Sequence, residues 1–184
     1  MRSISANDIA ALRKAERVVI FGSSGAGKST FSARLAPLLD LPLVHLDKLY
    51  WLPGWQPRSE QEWISMMELE VKKDRWLMDG NYGNTLDLRL RRADCLLWFD
   101  LPRWLCLCRV LKRVLTGYGE VRPDLAPGCP EKWDGEFMRY VWNFNKQTMP
   151  PILEKIADAP TTMSVIRLRR PADIKALLVA ISRV

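Results

Sequence analysis

Histidine occurs once in this chain of 184 residues, at position 45. With so little histidine, no Ser/His/Asp or Cys/His nucleophile constellation can be assembled. His45 falls inside an apolar run, where it reads as a structural residue. Cysteine is scarce as well: Cys95, Cys106, Cys108 and Cys129. None forms a C-x-x-C pair, so a zinc site would need distant residues to converge. Cys106 and Cys108 lie two apart in a stretch of helical character, so they point in different directions. Buried or idle thiols are the better fit. No run of about 18 apolar residues appears, so no membrane span is expected. The first 17 residues lack the continuous apolar core of a signal peptide. They read as a short amphipathic helix capped near Ser5 or Asn7, with Ile9 and Leu12 on one face. The expected location is cytoplasmic. Repeats and low-complexity tracts are absent too. The length then predicts one domain over 1–184, with 1–17 as a helical extension.

What is present is concentrated in "VVIFGSSGAGKST", residues 18–30. Four apolar, mostly β-branched residues run into Gly22, Ser23, Ser24, Gly25, Ala26, Gly27, Lys28 and Ser29, with Thr30 next. This is the G-x-x-x-x-G-K-[ST] spacing of a phosphate-binding P-loop. Glycines let the backbone curl so that successive N–H groups face a phosphate. A following helix adds its unpaired N-terminal N–H groups and the positive end of its dipole. Lys28 reaches the β- and γ-phosphates of ATP, and the Ser29 hydroxyl suits Mg²⁺. The segment after the loop, "KSTFSARLAPLL", has helical apolar spacing at Phe31, Leu35, Leu38 and Leu39. That context separates it from a chance Gly/Ser turn.

Five short apolar runs read as buried parallel strands, at 18–21, 43–46, 76–78, 95–99 and 164–168. Helical stretches at 29–39, 59–73, 103–115, 136–157 and 172–181 separate and follow them. Alternation of this kind predicts an α/β fold, a doubly wound five-stranded parallel sheet. Ligands in such folds sit beyond the carboxyl ends of the strands. Three runs end in an acid: Asp47, Asp79 and Asp100. Asp79 and Asp100 each fit a Walker-B description, an acid that holds Mg²⁺ directly or through water. Helix capping is the competing role, most of all for Asp100 before Leu-Pro. Residues 116–135 are rich in Gly and Pro with no apolar period, which suggests a lid-like loop over a nucleotide.

The chain carries 28 basic and 21 acidic residues, a net charge of +7. Residues 89–122 hold eight basic side chains against three acidic ones. Such a cluster attracts phosphates, whether on a nucleotide or on nucleic acid.

The order of P-loop, "DG" after the third strand, "FDLP" after the fourth, then a helix with Arg109 and Arg113, resembles the adenylate-kinase-like P-loop kinases. The resemblance implies a strand order of 2-3-1-4-5 and an Mg²⁺ role for Asp79. It also implies that one of Arg109 and Arg113 packs on the adenine and the other meets the phosphates. The two are one helical turn apart, so both can face one ligand. A narrower likeness lies in "HLDKLYWLPGWQ", "DGNYGNTLDLRLRRAD", "RPDLAPGCPEKWDGEFMRYVWNF" and "IRLRRPADI". These segments are similar to small bacterial proteins labelled DNA topology modulation proteins, which are FlaR-related. Adenylate kinase itself has an arginine in "DGFPR" for its acceptor nucleotide; here Asn81 and Tyr82 follow the glycine. That departure argues against AMP as acceptor. Asp47 resembles the acid with which shikimate- and gluconate-kinase-like enzymes hold or deprotonate a substrate hydroxyl.

These readings lead to a Mg-ATP-dependent phosphotransferase with a small-molecule acceptor, a nucleoside, nucleotide or other hydroxyl compound. Charge for the transfer comes from Lys28, Arg113 and a lid arginine such as Arg122, with Arg139 able to join them. Tyr50, Trp51, Trp55 and Tyr82 could line the acceptor site or pack as plain core. Arg89 is a further candidate for acceptor binding. The alternatives are an ATP-binding regulator associated with nucleic acid and an NTPase coupled to a partner protein. No helix-turn-helix, zinc-finger or RNA-binding signature supports the first.

Overall fold

The computed structural model describes residues 4–183. In chain order the elements are α1 (Ala6–Lys14), β1 (Arg17–Gly22), α2 (Lys28–Leu39), β2 (Leu43–His45), α3 (Leu46–Tyr50), β3 (Trp51–Leu52), β4 (Gln56–Pro57) and α4 (Glu60–Lys72). Then come β5 (Trp76–Asp79), a 3₁₀ turn at Gly83–Thr85, α5 (Leu86–Leu90), β6 (Cys95–Phe99), α6 (Arg103–Thr116), α7 (Gly135–Gln147), α8 (Met149–Ala157), β7 (Ser164–Leu168) and α9 (Pro171–Ser182).

The main sheet runs β2-β5-β1-β6-β7. Every pairing in it is parallel. Counted along the sheet strands alone, this is the expected 2-3-1-4-5. Successive residues of β1 face opposite sides of the sheet. Val18 and Ile20 pack with Phe31, Leu35, Val110 and Leu177 on one side. Val19 and Phe21 pack with Trp63, Met67, Leu86 and Phe144 on the other. Burial on both sides explains why these strands read as continuous apolar runs rather than alternating ones. No helix among the described residues is long and apolar enough to cross a membrane.

Two features depart from the reading of the sequence, the break in the stretch 136–157 and a hairpin; the N-terminal helix falls where it is expected. The stretch 136–157 is two helices, α7 and α8, with the break at Thr148. Pro150 and Pro151 cannot donate to a continuing helix, and they occupy the first turn of α8, where no donor is needed. A short antiparallel hairpin, β3–β4, lies between β2 and α4. Its turn holds Gly54 and Trp55 at φ 78° and 62°. A tryptophan in the left-handed region is costly, so the surrounding contacts must hold it there. The N-terminal helix begins with a capping box between Ser5 and Asp8. It buries Leu12 in the core, and its Arg13 donates to the Ala180 carbonyl of α9 at 2.9 Å.

Candidate active site

The strands β1, β2 and β5 direct their carboxyl ends into one cavity of about 1070 Å³. Its wall is built first from the turn between β1 and α2. Gly22 has φ 147°, and a Cβ there would lie 2.4 Å from the Phe99 carbonyl oxygen. A Cβ on Gly25 would lie 2.3 Å from the Cys106 carbonyl oxygen. The turn therefore nests against β6 and α6 so closely that side chains are excluded at both points. No side chain caps α2, and its first turn holds no acid. Its leading N–H groups are thus left for an anion. Ser24, Gly25, Gly27, Lys28, Ser29 and Thr30 line the cavity. Lys28 Nζ donates to the carbonyls of Gly22 at 2.7 Å and Ser23 at 3.1 Å. Burial pulls its pKa down, while Asp47 and Asp79 pull it up.

Asp79 ends β5, buried at the base of this wall. Ser32 Oγ donates to its Oδ2 at 2.8 Å, and His45 Nδ1 lies 2.8 Å from its Oδ1. That hydrogen bond raises the His45 pKa above its ordinary value. His45 also lines the cavity, so it does more than fill a strand. Asp100 is placed elsewhere: it follows β6 directly and pairs with Arg167 of β7 at 2.7 Å. Of the two acids at strand ends, Asp79 lines the cavity.

Asp47 stands in the first turn of α3, directly after β2. The Tyr82 hydroxyl donates to its Oδ1 at 2.7 Å. Burial raises the Asp47 pKa, opposed by this bond and by Lys28. Trp51 and Trp55 also line the cavity, their rings 5.4 Å apart and near perpendicular. Asn81 bridges two walls. It accepts from the Gly22 N–H at 3.2 Å and donates to the Tyr140 hydroxyl at 3.2 Å.

Opposite the turn, α6 presents Arg109 and Arg113. Arg109 reaches the Ala26 carbonyl at 3.4 Å. Arg113 Nε lies 2.8 Å from Glu131 Oε1, and Arg122 Nε lies 2.6 Å from the same oxygen. Arg122 also pairs with Asp124 at 2.8 Å. Burial, reinforced by Arg122, pulls the Arg113 pKa down. The loop that supplies Arg122, Asp124 and Glu131 is fixed to the β3–β4 hairpin. Gly54 N donates to the Gly128 carbonyl at 2.8 Å, and Trp55 Nε1 to the Pro130 carbonyl at 2.9 Å.

Three residues expected at the acceptor site lie outside the cavity lining. Arg89 has no exposed surface. It donates to the carbonyls of Gly80, Asn81 and Tyr82 at 3.1, 2.6 and 2.8 Å. It therefore shapes the turn that carries Tyr82, from behind. Tyr50 packs its ring against Trp51, Trp63 and Tyr82. Arg139 is exposed on α7. Gly22, Ser23 and Ala26 belong to the turn without lining the cavity. Conversely, sequence reasoning passed over Asp124, Glu131, Lys132 and Tyr140, all of which line it. Asp124, Glu131 and Lys132 lie in an aperiodic loop, where spacing carries no signal, and Tyr140 lies on α7.

No protein-family model matches the chain, and comparison with curated proteins finds no match. Solved structures do match. Shikimate kinase from Acinetobacter baumannii, in complex with shikimate, aligns with TM-score 0.56 and 14% identity over 92% of each chain. Shikimate kinase from Bacteroides thetaiotaomicron aligns with TM-score 0.51 and 15% identity, over 90% of this chain and 95% of that one. Deoxyadenosine kinase from M. mycoides, with dCMP and dCDP, aligns with TM-score 0.51 and 14% identity over 90% and 95%. At such identities the likeness is one of fold. The fold is that of the P-loop kinases.

Proposed function

We propose that the protein transfers the γ-phosphoryl group of ATP to the hydroxyl of a small molecule. One observation carries this reading. The phosphate-binding turn at Lys28 and the carboxylate of Asp47 face the same cavity, whose 1070 Å³ exceeds what one drug-sized ligand needs. A donor at the turn and an acceptor at Asp47 can therefore sit side by side.

The roles follow from position. The N–H groups of residues 24–30 and the Lys28 ammonium hold the triphosphate. Asp47 takes the proton of the acceptor hydroxyl as its oxygen attacks the γ-phosphorus and ADP departs. Tyr82 holds Asp47 in place. Arg113 and Arg122 neutralise charge on the transferring group, and Arg109 meets the nucleotide base. Loop 116–135 acts as the lid, within a single domain. Ser29 and Asp79 are the residues that would hold Mg²⁺. No group of three or more acids, cysteines and histidines able to bind a metal occurs among the described residues. Mg²⁺ takes one or two protein ligands and completes its shell with phosphate and water, and Ser29 and Asp79 line the same cavity. The ion would supply charge neutralisation for the transferring group.

Three of the four segments that resemble the FlaR-related proteins contribute Asp47, Trp51, Trp55, Asp79, Tyr82, Arg122 and Glu131, so membership in that group belongs to the same proposal. The test is ADP release by purified protein against nucleosides, nucleoside monophosphates, sugar acids and hydroxy acids, with and without DNA. Stimulation by a small acceptor supports the reading. Stimulation by DNA alone overturns it in favour of a nucleic-acid-associated regulator.

A further inference from the structure

Glu131 is 4% exposed, although it stands in a loop, where a single β-bridge pairs it with Tyr118. A buried carboxylate is expensive unless cations surround it. Here one of its oxygens lies between the Nε atoms of Arg113 and Arg122, at 2.8 and 2.6 Å. Neither contact has the alignment of a hydrogen bond, so these are charge contacts first. The main chain fixes its position: Glu131 N donates to the Glu120 carbonyl at 2.8 Å, and the Glu131 carbonyl accepts from Gly119 N at 2.9 Å. The two arginines come from different segments, α6 and the loop. They approach closely enough for each to oppose the other's charge, and an anion between them relieves that.

A carboxylate and a phosphoryl group make the same demand on a guanidinium: negative oxygens that accept from its N–H fork. We infer that the Arg113–Arg122 pair is a binding site for a phosphoryl group, and that Glu131 fills it as an internal stand-in until a nucleoside triphosphate displaces it. This rests on the reading above, in which both arginines meet the transferring phosphate. It goes further by naming a competitor built into the chain. The pair needs one anion at all times. Without nucleotide the chain supplies it, and the loop lies closed on α6. With a triphosphate bound, the phosphoryl oxygens take over both arginines and the Glu131 side chain turns out of the site. Affinity for the triphosphate is lowered by the work of that displacement. Affinity for a ligand without phosphates is untouched.

The sign of the prediction separates this role from a merely structural one. Glu131→Gln keeps the shape and removes the charge. Calorimetry on the full chain would measure binding of ATP and of adenosine to both proteins, beside thermal melts of each. The variant should melt lower by itself, because Arg113 loses its counter-charge and Arg122 keeps only Asp124. It should nonetheless bind ATP about tenfold more tightly, about 1.4 kcal/mol, with adenosine binding unchanged. Glu131→Asp keeps the charge on a shorter stem that cannot span both arginines, and it should give a smaller gain in the same direction. ATP binding that is equal to or weaker than that of the unsubstituted protein, in whichever variant folds, overturns the inference. A failure of the proposed function looks different. ATP would bind more tightly to the variant, while no acceptor stimulated ADP release from either protein.

Discussion

The hydroxyl of Tyr82 donates to Asp47 Oδ1 at 2.7 Å, joining the turn after β5 to the first turn of α3. Tyr82 holds a left-handed backbone at φ 36°, which a non-glycine residue adopts at a cost. Arg89 holds the carbonyls of that turn from inside the protein. The geometry of Asp47 is thus set by a residue that never reaches the cavity.

Asp47→Asn should abolish acceptor-dependent ADP release and leave ATP binding intact. Tyr82→Phe gives the finer test, a shift in pH dependence. A general base works only when deprotonated, so activity is lost as pH falls through its pKa. Burial already raises the Asp47 pKa, and the Tyr82 bond opposes that rise. Without the bond the pKa climbs further, so the acidic limb of kcat/KM should move to higher pH. An unmoved limb, with a melting temperature that falls, would leave Tyr82 purely structural.

Arg113→Ala should lower kcat by about 10³-fold or more, a larger effect than its loss of ATP affinity, as loss of a transition-state arginine does. Arg109→Ala should weaken ATP binding and spare kcat, since in the proposed function this arginine meets the base. Steady-state kinetics with ATP varied at saturating acceptor would separate the two. Equal and mild effects would show that α6 does not face the nucleotide.

Lys28→Ala should end ATP turnover and keep the fold. In this structure Lys28 bonds two carbonyls of its own turn and fills no apolar core. Circular dichroism beside the turnover assay checks both halves. A variant that unfolds would count against the assignment as surely as one that stays active.

Arg89→Met should destabilise the protein by about 3 kcal/mol in urea unfolding, because it leaves three inward-facing carbonyls without their charged donor. Burial pulls this guanidinium down to about 9, so it still carries its charge at neutral pH. A loss under about 1 kcal/mol would mean that water replaces it freely.

The glycine-rich turn was legible because its close approach to β6 and α6 demands glycine at Gly22 and Gly25. The sheet was legible because strands covered on both faces read as unbroken apolar runs. Asp79 and Asp100 could not be told apart, since both end such strands. What separates them is Arg167, which lies on the neighbouring strand β7 and draws Asp100 away. Arg89 misled for a related reason. Arginine in a basic, polar segment reads as exposed, and only the fold of α5 against the turn after β5 turns it inward. The break between α7 and α8 had its signal in Pro150-Pro151, and apolar period outweighed it in the reading. Glu131 had no signal at all, because its partners lie on another helix and on the far side of its own loop.

The hairpin and the loop meet at Gly54 to Gly128, Trp55 to Pro130 and Cys129 Sγ to the Leu52 carbonyl. Gly128 also sits so near Pro53 that a Cβ would lie 3.0 Å from its ring. The two segments are thus tied into one panel, so a movement of the loop carries the hairpin, with Trp51 and Trp55, along with it. Under the proposed function, the donor and acceptor sites would therefore open and close together.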